Sequence, residues 1–417
     1  MTYQTKPKIN AERLGADFND LAEIGATIDG GVSRLALSNE DLEARAWLAD
    51  RFAEAGLEIR DDDAGNLSGF LACNTPHAKT LLIGSHLDSV PNGGRYDGSV
   101  GVLAALECLR AIKEAGLTLP FHIEAINFTD EEGCWQSLFG SRALTGTLKE
   151  NYLRDQEADY GPFRAALCRA GIRPADIYLA RRDHQTIHGY LELHIEQSYW
   201  LDDAGIDIGV VTGVVGRATY NLSFLGEAAH NGTTRTSSRR DALRGASQFI
   251  TQAHQTISEH FPRGVLNCAN VVVEPGAFNM IPSLARVTTE IRHSDRDTLE
   301  QMQTAIIELA EATARTFNLN LEAQCVGRMP AATMAGSMVM SIEAACSRLG
   351  YSHTRLTSYA GHDAQILSGF TPSGMIFIPS VDGLSHSPKE FTRWPDVLKG
   401  VDVLLETILI LAENTTS

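Results

Sequence analysis

The sequence predicts an α/β protein in two domains, a mainly parallel-sheet domain interrupted by an inserted ferredoxin-like α+β domain. Three observations carry this expectation. At 417 residues the chain is too long for one ordinary core, which asks for two domains with room for a cleft. Residues 80–128 run strand, loop, helix, strand, the rhythm of a parallel sheet. Residues 218–326 follow the order β-α-β-β-α-β of a ferredoxin-like unit.

Each element has a local reason. Over 38–56, Ser38 offers an N-cap, helix formers follow, and Gly56 supplies a stop. Thr80–Gly84 is a short apolar run ahead of a polar loop. Residues 99–115 read as a helix ended by Gly116, and Phe121–Phe128 as the next strand. Ala218–Leu225 alternates like a strand, and 241–260 reads as a long helix. Strands at 266–274 and 284–292, a helix at 296–316 and a strand at 320–326 complete the inserted unit. The domain boundaries are therefore expected at 1–213, 214–328 and 329–417. The last segment, with helices over 337–349 and 393–413 around a strand at 374–379, returns to the first domain. Ligands of such sheets collect at the carboxyl ends of the strands, so the chemistry is expected in those loops.

Composition narrows the function. Apolar residues make up 43% and charged residues 21%, values of a globular chain. A net charge of −17 repels phosphate backbones and anionic lipid, which argues against nucleic-acid and membrane partners. An anionic substrate must then meet local positive charge. The N-terminus MTYQTKPKIN has no apolar h-region, and no run approaches the roughly 18 apolar residues of a membrane span. A cytoplasmic location is expected. The 7 cysteines are odd in number and scattered without a C-x-x-C pair, so they are expected to be reduced and mostly buried, with Cys134 in a packing role.

Five loops collect imidazoles and carboxylates: His86-Leu-Asp88, Tyr96-Asp97-Gly98, Thr129-Asp130-Glu131-Glu132-Gly133, His194-Ile-Glu196-Gln197 and Ser385-His386-Ser387. Each alone has a plain reading. A single His near a strand end is usually a hydrogen-bonded structural residue, Asp97-Gly98 reads as a turn, and Glu131-Glu132 reads as an acidic first turn of a helix. Their coincidence carries the case. His86 and Asp97 flank the loop after the first parallel strand and Glu131-Glu132 follow the second, so the topology brings them to one sheet edge. Imidazoles and carboxylates without thiolates suit Zn²⁺, Mn²⁺, Co²⁺ or Ni²⁺.

The order H-x-D, Y-D-G, D-E-E-G, H-I-E-Q, G-L-S-H resembles the M20-type metallohydrolases over nearly the whole chain. Within them it resembles the hydantoinase/carbamoylase branch of N-carbamoyl-L-amino acid hydrolases, allantoate amidohydrolases and β-ureidopropionases. The resemblance implies a metallohydrolase domain and an inserted lid and dimerisation domain, two divalent ions, and a homodimer. It implies that His86, Asp97 and His194 hold one ion, and that Asp97, Glu132 and His386 hold the other. Asp88 would accept the second imidazole N–H of His86, and Glu131 would be the general base. In the inserted domain His230 would stabilise the oxyanion, while Asn279 and Arg292 would hold the polar tail of the substrate. Gln197 would contact the carbamoyl end. The implied reaction is hydrolysis of the ureido C–N bond of a small carboxylated substrate, releasing amine, CO₂ and ammonia. Rival readings are aminoacylase or dipeptidase chemistry, or a non-catalytic binding relative.

His293 and Gly361-His362-Asp363 are expected to be structural or substrate-orienting, and histidines 77, 122, 184, 188, 254, 260 and 353 solvated or packing. The chain departs from the branch pattern at Trp135-Gln136, Ser198 and Arg235, positions on the rim that bear on substrate identity.

Overall fold

The computed structural model describes residues 6–148, 153 and 160–416. Of the N-terminal stretch read for targeting, residues 1–5 lie outside them. Among the described residues no helix is long and apolar enough to cross a membrane.

The chain opens with α1 (Ala11–Glu23) and α2 (Asn39–Glu54). Ser38 caps α2 as expected, its side chain accepting from the Asp41 amide. Strands β1 (Glu58–Asp61), β2 (Leu67–Leu71) and β3 (Thr80–His86) follow, then α3 (Ser99–Glu114) and β4 (His122–Phe128). After α4 (Phe139–Thr145) and α5 (Gly161–Arg169) come β5 (Ile187–Ile195), α6 (Trp200–Ala204) and β6 (Ile208–Val214). The next segment holds β7 (Gly216–Leu225), β8 (Ala229–His230), α7 (Ala242–His260), β9 (Val265–Glu274), β10 (Met280–Ile281), β11 (Leu284–His293), α8 (Arg296–Thr316) and β12 (Asn320–Met329). The chain ends with β13 (Ala332–Thr333), α9 (Gly336–Leu349), β14 (His353–Ser358), α10 (Asp363–Leu367), β15 (Ser373–Ile378) and α11 (Trp394–Thr416).

These elements form two compact units, one of residues 1–212 with 333–417 and the other Gly213–Ala332. The first is built on a 9-stranded sheet ordered β1-β2-β4-β3-β5-β15-β6-β13, with β14 on β6. Its middle, β4-β3-β5-β15, is parallel, and its flanks are antiparallel where β2 meets β4 and β6 meets β15. The middle strands read as continuous apolar runs because both their faces are covered. Helix α3 is buried over almost its whole length, which matches its lack of a polar stripe.

The second unit has the sheet order β12-β7-β11-β9, all neighbours antiparallel, with α7 and α8 on one face. This is the ferredoxin-like arrangement. Ala218, Tyr220, Leu222 and Phe224 alternate inward onto Phe249, Met302 and Ile306 of the helices.

The cysteines depart from expectation. All 7 are free, but only Cys108 and Cys346 are buried, and Cys134 is exposed, so it has no packing role. A loop residue can lie beside a buried acidic pair and still face solvent.

One buried cation braces the loops that matter. Arg34, 2% exposed, donates from Nε to the Leu87 carbonyl (2.7 Å), from Nη1 to the Leu21 (3.1 Å) and Ile24 (3.0 Å) carbonyls, and from Nη2 to Ser99 Oγ (3.0 Å). Burial pulls its pKa down to about 10, still cationic at neutral pH. It thereby ties the end of α1 to the chain on either side of the Tyr96-Asp97-Gly98 turn. Replacing Arg34 by Met keeps the length and removes every donor. The expected cost is about 2–4 kcal/mol, read as a lower thermal midpoint; an unchanged midpoint would refute the bracing role.

Candidate active site

In the first unit the residues singled out at the strand ends converge. His86 closes β3, His194 lies near the end of β5, and Asp97 sits at the turn into α3. Gly98, at φ +63, has no room for a Cβ, which would fall 2.4 Å from the His86 ring. Only glycine permits this approach. The acidic pair follows β4 in a loop rather than in a helical first turn, since α4 begins only at Phe139. That loop is shaped by Asp130, at φ +55, whose carboxylate accepts from the Trp135 (3.0 Å) and Gln136 (2.6 Å) amides.

Asp97 is the hub. Its Oδ1 faces the Nε2 atoms of His194 (3.1 Å) and His86 (3.6 Å), while its Oδ2 faces Nε2 of His386 (3.4 Å). His386 Nε2 is in turn 3.5 Å from Glu132 Oε2. Two donor groups result, His86–Asp97–His194 and Asp97–Glu132–His386, the ligand atoms of each within 4.8 Å of one another. The carboxylate offers one oxygen to each.

The tautomers follow from the surroundings. His86 Nδ1 lies 2.9 Å from the Asp88 carbonyl and His194 Nδ1 lies 2.9 Å from the Ile195 carbonyl. A carbonyl only accepts, so both Nδ1 atoms carry the proton and both Nε2 lone pairs point at Asp97. The Gly98 amide, donating to His194 Nε2 at 3.2 Å, agrees. For His86 the acceptor is the main-chain oxygen of Asp88. The carboxylate, 3.8 Å from Nδ1, accepts instead from the amides of Glu131 (3.3 Å) and Glu132 (3.1 Å), holding the acidic loop in place.

Lone pairs facing carboxylate oxygens in a buried space repel unless a proton or a cation lies between them. The crowding shifts the side chains in different directions. Burial, then the charges of Asp97 and Asp88, push Glu132 up to about 9. Burial, then the neighbouring Glu132, Asp363, Asp88 and Asp97, push Glu131 well above the usual carboxylate range. Burial lowers His86 to about 4, whereas for His194 the hydrogen bond and charge of Asp97 outweigh burial and raise it to about 9, so that without a cation a proton is held between His194 Nε2 and Asp97. Glu132 Oε1 and Gln197 Oε1 are buried without a hydrogen-bond partner. These donors fit divalent cations, and oxygen and imidazole nitrogen without thiolate suit the zinc-to-manganese range.

Glu131 lies at the edge of the first group, its Oε2 3.7 Å from His86 Nε2, and is 8% exposed. Gln197, at φ +57, donates from Nε2 to Asp97 Oδ2 (2.8 Å). His362, expected to be structural or orienting, packs its ring edge-on against His194 with centroids 4.6 Å apart and shares Nε2 with Ser358 Oγ (3.0 Å). Glu390 carried no local signal; it accepts from the Tyr96 (3.1 Å) and Asp97 (3.0 Å) amides.

The remaining candidates belong to the second unit. His230 is exposed on the two-stranded β8–β10 ribbon, where it pairs with Met280, the residue after Asn279. Its Nδ1 accepts from the Gly232 (3.1 Å) and Thr233 (3.2 Å) amides, which leaves Nε2–H as an outward donor. Arg292 is held at Nε by Glu290 Oε1 (2.7 Å). It is the penultimate residue of the 10-residue β11, whose first residue lies by the ribbon, so roughly 30 Å of strand separates it from His230 and Asn279. His293 is structural: its Nδ1 accepts from the Asp295 amide (2.9 Å) and its Nε2 lies 3.2 Å from the Pro262 carbonyl.

Comparison with known proteins agrees with this chemistry. The model of the peptidase family M20/M25/M40 matches residues 82–410. An N-carbamoyl-L-amino acid amidohydrolase of Geobacillus stearothermophilus is 36% identical over 97% of this chain and 100% of its own length. An allantoate amidohydrolase of Bacillus subtilis (strain 168) is 32% identical over 98% of this chain and 99% of its own. The crystal structure of an amidase of the hydantoinase/carbamoylase family from Burkholderia multivorans superposes with a TM-score of 0.86 at 33% identity, covering 97% of this chain and 98% of the other. A two-unit fold, a hub carboxylate shared by two donor groups and full-length likeness to amidohydrolases lead to one conclusion: the chain belongs to the metal-dependent peptidase family M20/M25/M40, among the hydantoinase/carbamoylase amidases.

Proposed function

We propose that the protein hydrolyses the N-carbamoyl (ureido) C–N bond of a small carboxylated substrate, an N-carbamoyl-L-amino acid first among them, in the cytoplasm. The observation that carries this reading is the division of Asp97 between two donor groups with Glu131 at their edge. His86, Asp97 and His194 would hold one divalent ion, and Asp97, Glu132 and His386 the other, zinc, manganese, cobalt or nickel as supply dictates. When bound, such ions polarise the scissile carbonyl and lower the pKa of the attacking water.

The side chains do the rest. Glu131, uncoordinated and short of solvent, takes the proton of the attacking water and returns it to the departing nitrogen. Asp88 holds the Glu131 and Glu132 amides so that the two neighbours keep separate tasks. Gln197 lies beside the carbamoyl end. The Nε2–H of His230 suits an oxyanion, and Asn279 and Arg292 suit the polar tail, Arg292 supplying the local cation that a chain of net charge −17 needs. After Ser198, Tyr199 and Trp200 stack at 5.1 Å, and Tyr199 packs on Gly383, close in sequence to His386. An exposed aromatic pair so close in sequence to Gln197 is the feature that would favour a substrate with an apolar side chain over allantoate.

The distance between Arg292 and the His230–Asn279 ribbon supports a homodimer. A substrate of a few ångströms cannot span roughly 30 Å of strand, so the two sets would serve different copies of the site.

With Mn²⁺, Co²⁺, Ni²⁺ or Zn²⁺ supplied in turn, N-carbamoyl-L-amino acids, allantoate and N-carbamoyl-β-alanine are expected to release ammonia, the apolar N-carbamoyl amino acids fastest. Turnover of N-acetyl amino acids or dipeptides with no ammonia from any ureido acid would overturn the proposal. Glu131→Gln is expected to retain the metal content of the parent while kcat falls about 10²- to 10⁴-fold; unchanged kcat would remove Glu131 from its role. Co-expressed Glu131→Gln and His230→Ala chains, each inactive alone, are expected to recover about a quarter of parental activity in mixed dimers by random assortment. A mixture as inactive as its components would refute a His230 contributed by the partner copy.

A further inference from the structure

We infer that Glu390 is a positioning residue, a buried clamp that joins the loop of Asp97 to the loop of His386 and sets the Asp97 carboxylate so that it can serve both donor groups. The inference rests on the reading of Asp97 as a shared ligand and assigns the residue that makes the sharing possible.

Glu390 is 6% exposed and spends both of its carboxylate oxygens. Oε1 accepts from the main-chain amides of Tyr96 (3.1 Å) and Asp97 (3.0 Å), which lie 294 and 293 residues earlier in the chain. Oε2 accepts from Ser385 Oγ (3.0 Å), and the same hydroxyl is 3.1 Å from Asp97 Oδ2. Gln197 Nε2 reaches both Asp97 Oδ2 (2.8 Å) and Ser385 Oγ (3.3 Å), closing the ring of contacts. Asp97 is thus held directly at its backbone by Glu390, while the single proton of Ser385 is available to one of the two carboxylates at a time.

The clamp has a built seat. A Cβ on Gly94 would fall 2.0 Å from the Glu390 carboxyl, so the glycine keeps open the space that the carboxylate fills. On its own side Glu390 is fixed by its amide, which donates to the Ser387 carbonyl (3.0 Å), and by the next residue, Phe391, whose carbonyl accepts from Val381 (2.9 Å). His386 and Glu390 therefore ride on one short loop. A movement of that loop shifts a candidate ligand and the support of the shared ligand together.

Two main-chain N–H groups converging on one carboxyl oxygen fix both the backbone and the side chain. Partners of this kind, one step behind a ligand, typically change metal affinity 10- to 100-fold when removed. Neither neighbour can substitute: Ser385 has one proton to donate, and Gln197 already serves Asp97.

The test uses the full-length metal-loaded protein dialysed against graded EDTA, with retained metal measured by elemental analysis and folding checked by circular dichroism. Glu390→Ala is expected to lose metal at about 10- to 100-fold lower chelator than the parent. Glu390→Gln, whose amide oxygen still accepts the Tyr96 and Asp97 N–H groups, is expected to fall between them, and Lys389→Ala, an exposed neighbour, to match the parent. If Glu390→Ala fails to fold, Glu390→Gln and Ser385→Ala decide, both being expected to lose metal more readily than the parent. Parental retention in Glu390→Gln and Ser385→Ala, while Asp97→Asn loses metal, would overturn the clamp and leave the ligand reading standing. Parental retention in Asp97→Asn as well would overturn both.

Discussion

The Asp97 carboxylate faces imidazole lone pairs on one oxygen and a third imidazole on the other, in a space with little water. Everything around it answers that electrostatic problem. Three acidic groups, Glu131, Glu132 and Asp88, crowd the same volume, and burial leaves them short of counter-charge. A bound cation would supply the counter-charge that these carboxylates lack, which the two donors that reach Asp97 Oδ2, Gln197 Nε2 and the Ser385 hydroxyl, do not.

The fold solves the placement. Parallel neighbours β4, β3 and β5 deliver their following loops to one sheet edge, so residues far apart in the chain meet there. The last strand of the parallel core, β15, brings the loop of Ser385 and His386 to the same place. Arg34 and Glu390 then pin the loops from beneath, one through carbonyls and the other through amides. One side chain donates and the other accepts because the main-chain groups they satisfy are opposite.

Much of this was legible in the sequence. Helix limits with a cap and a glycine stop, such as Ser38 and Gly56, are local, and local chemistry is readable. The candidate ligands were legible because loop motifs stand at strand ends, where topology alone predicts convergence. What escaped has a common cause. The antiparallel flanks of the large sheet, the bracing by Arg34 and the grip of Glu390 depend on pairings across tens or hundreds of residues, and a single residue in an irregular loop has no periodicity to betray it. Asp88 shows the finer limit: the right residue was identified, but only geometry distinguishes its carbonyl from its carboxylate. Arg292 and His230 show another, since a motif singles out candidates and not how many strand lengths separate them.

The imidazoles of His86 and His194 are both oriented by main-chain carbonyls. A carbonyl is neutral and does not titrate, so the aim of these two rings stays the same in acid, in base and at any ionic strength. Nor does it lend the rings the extra electron density that a carboxylate partner would. Two rings of very different basicity are thus aimed by the same neutral kind of partner, so their direction is set by the backbone and their basicity by what surrounds them.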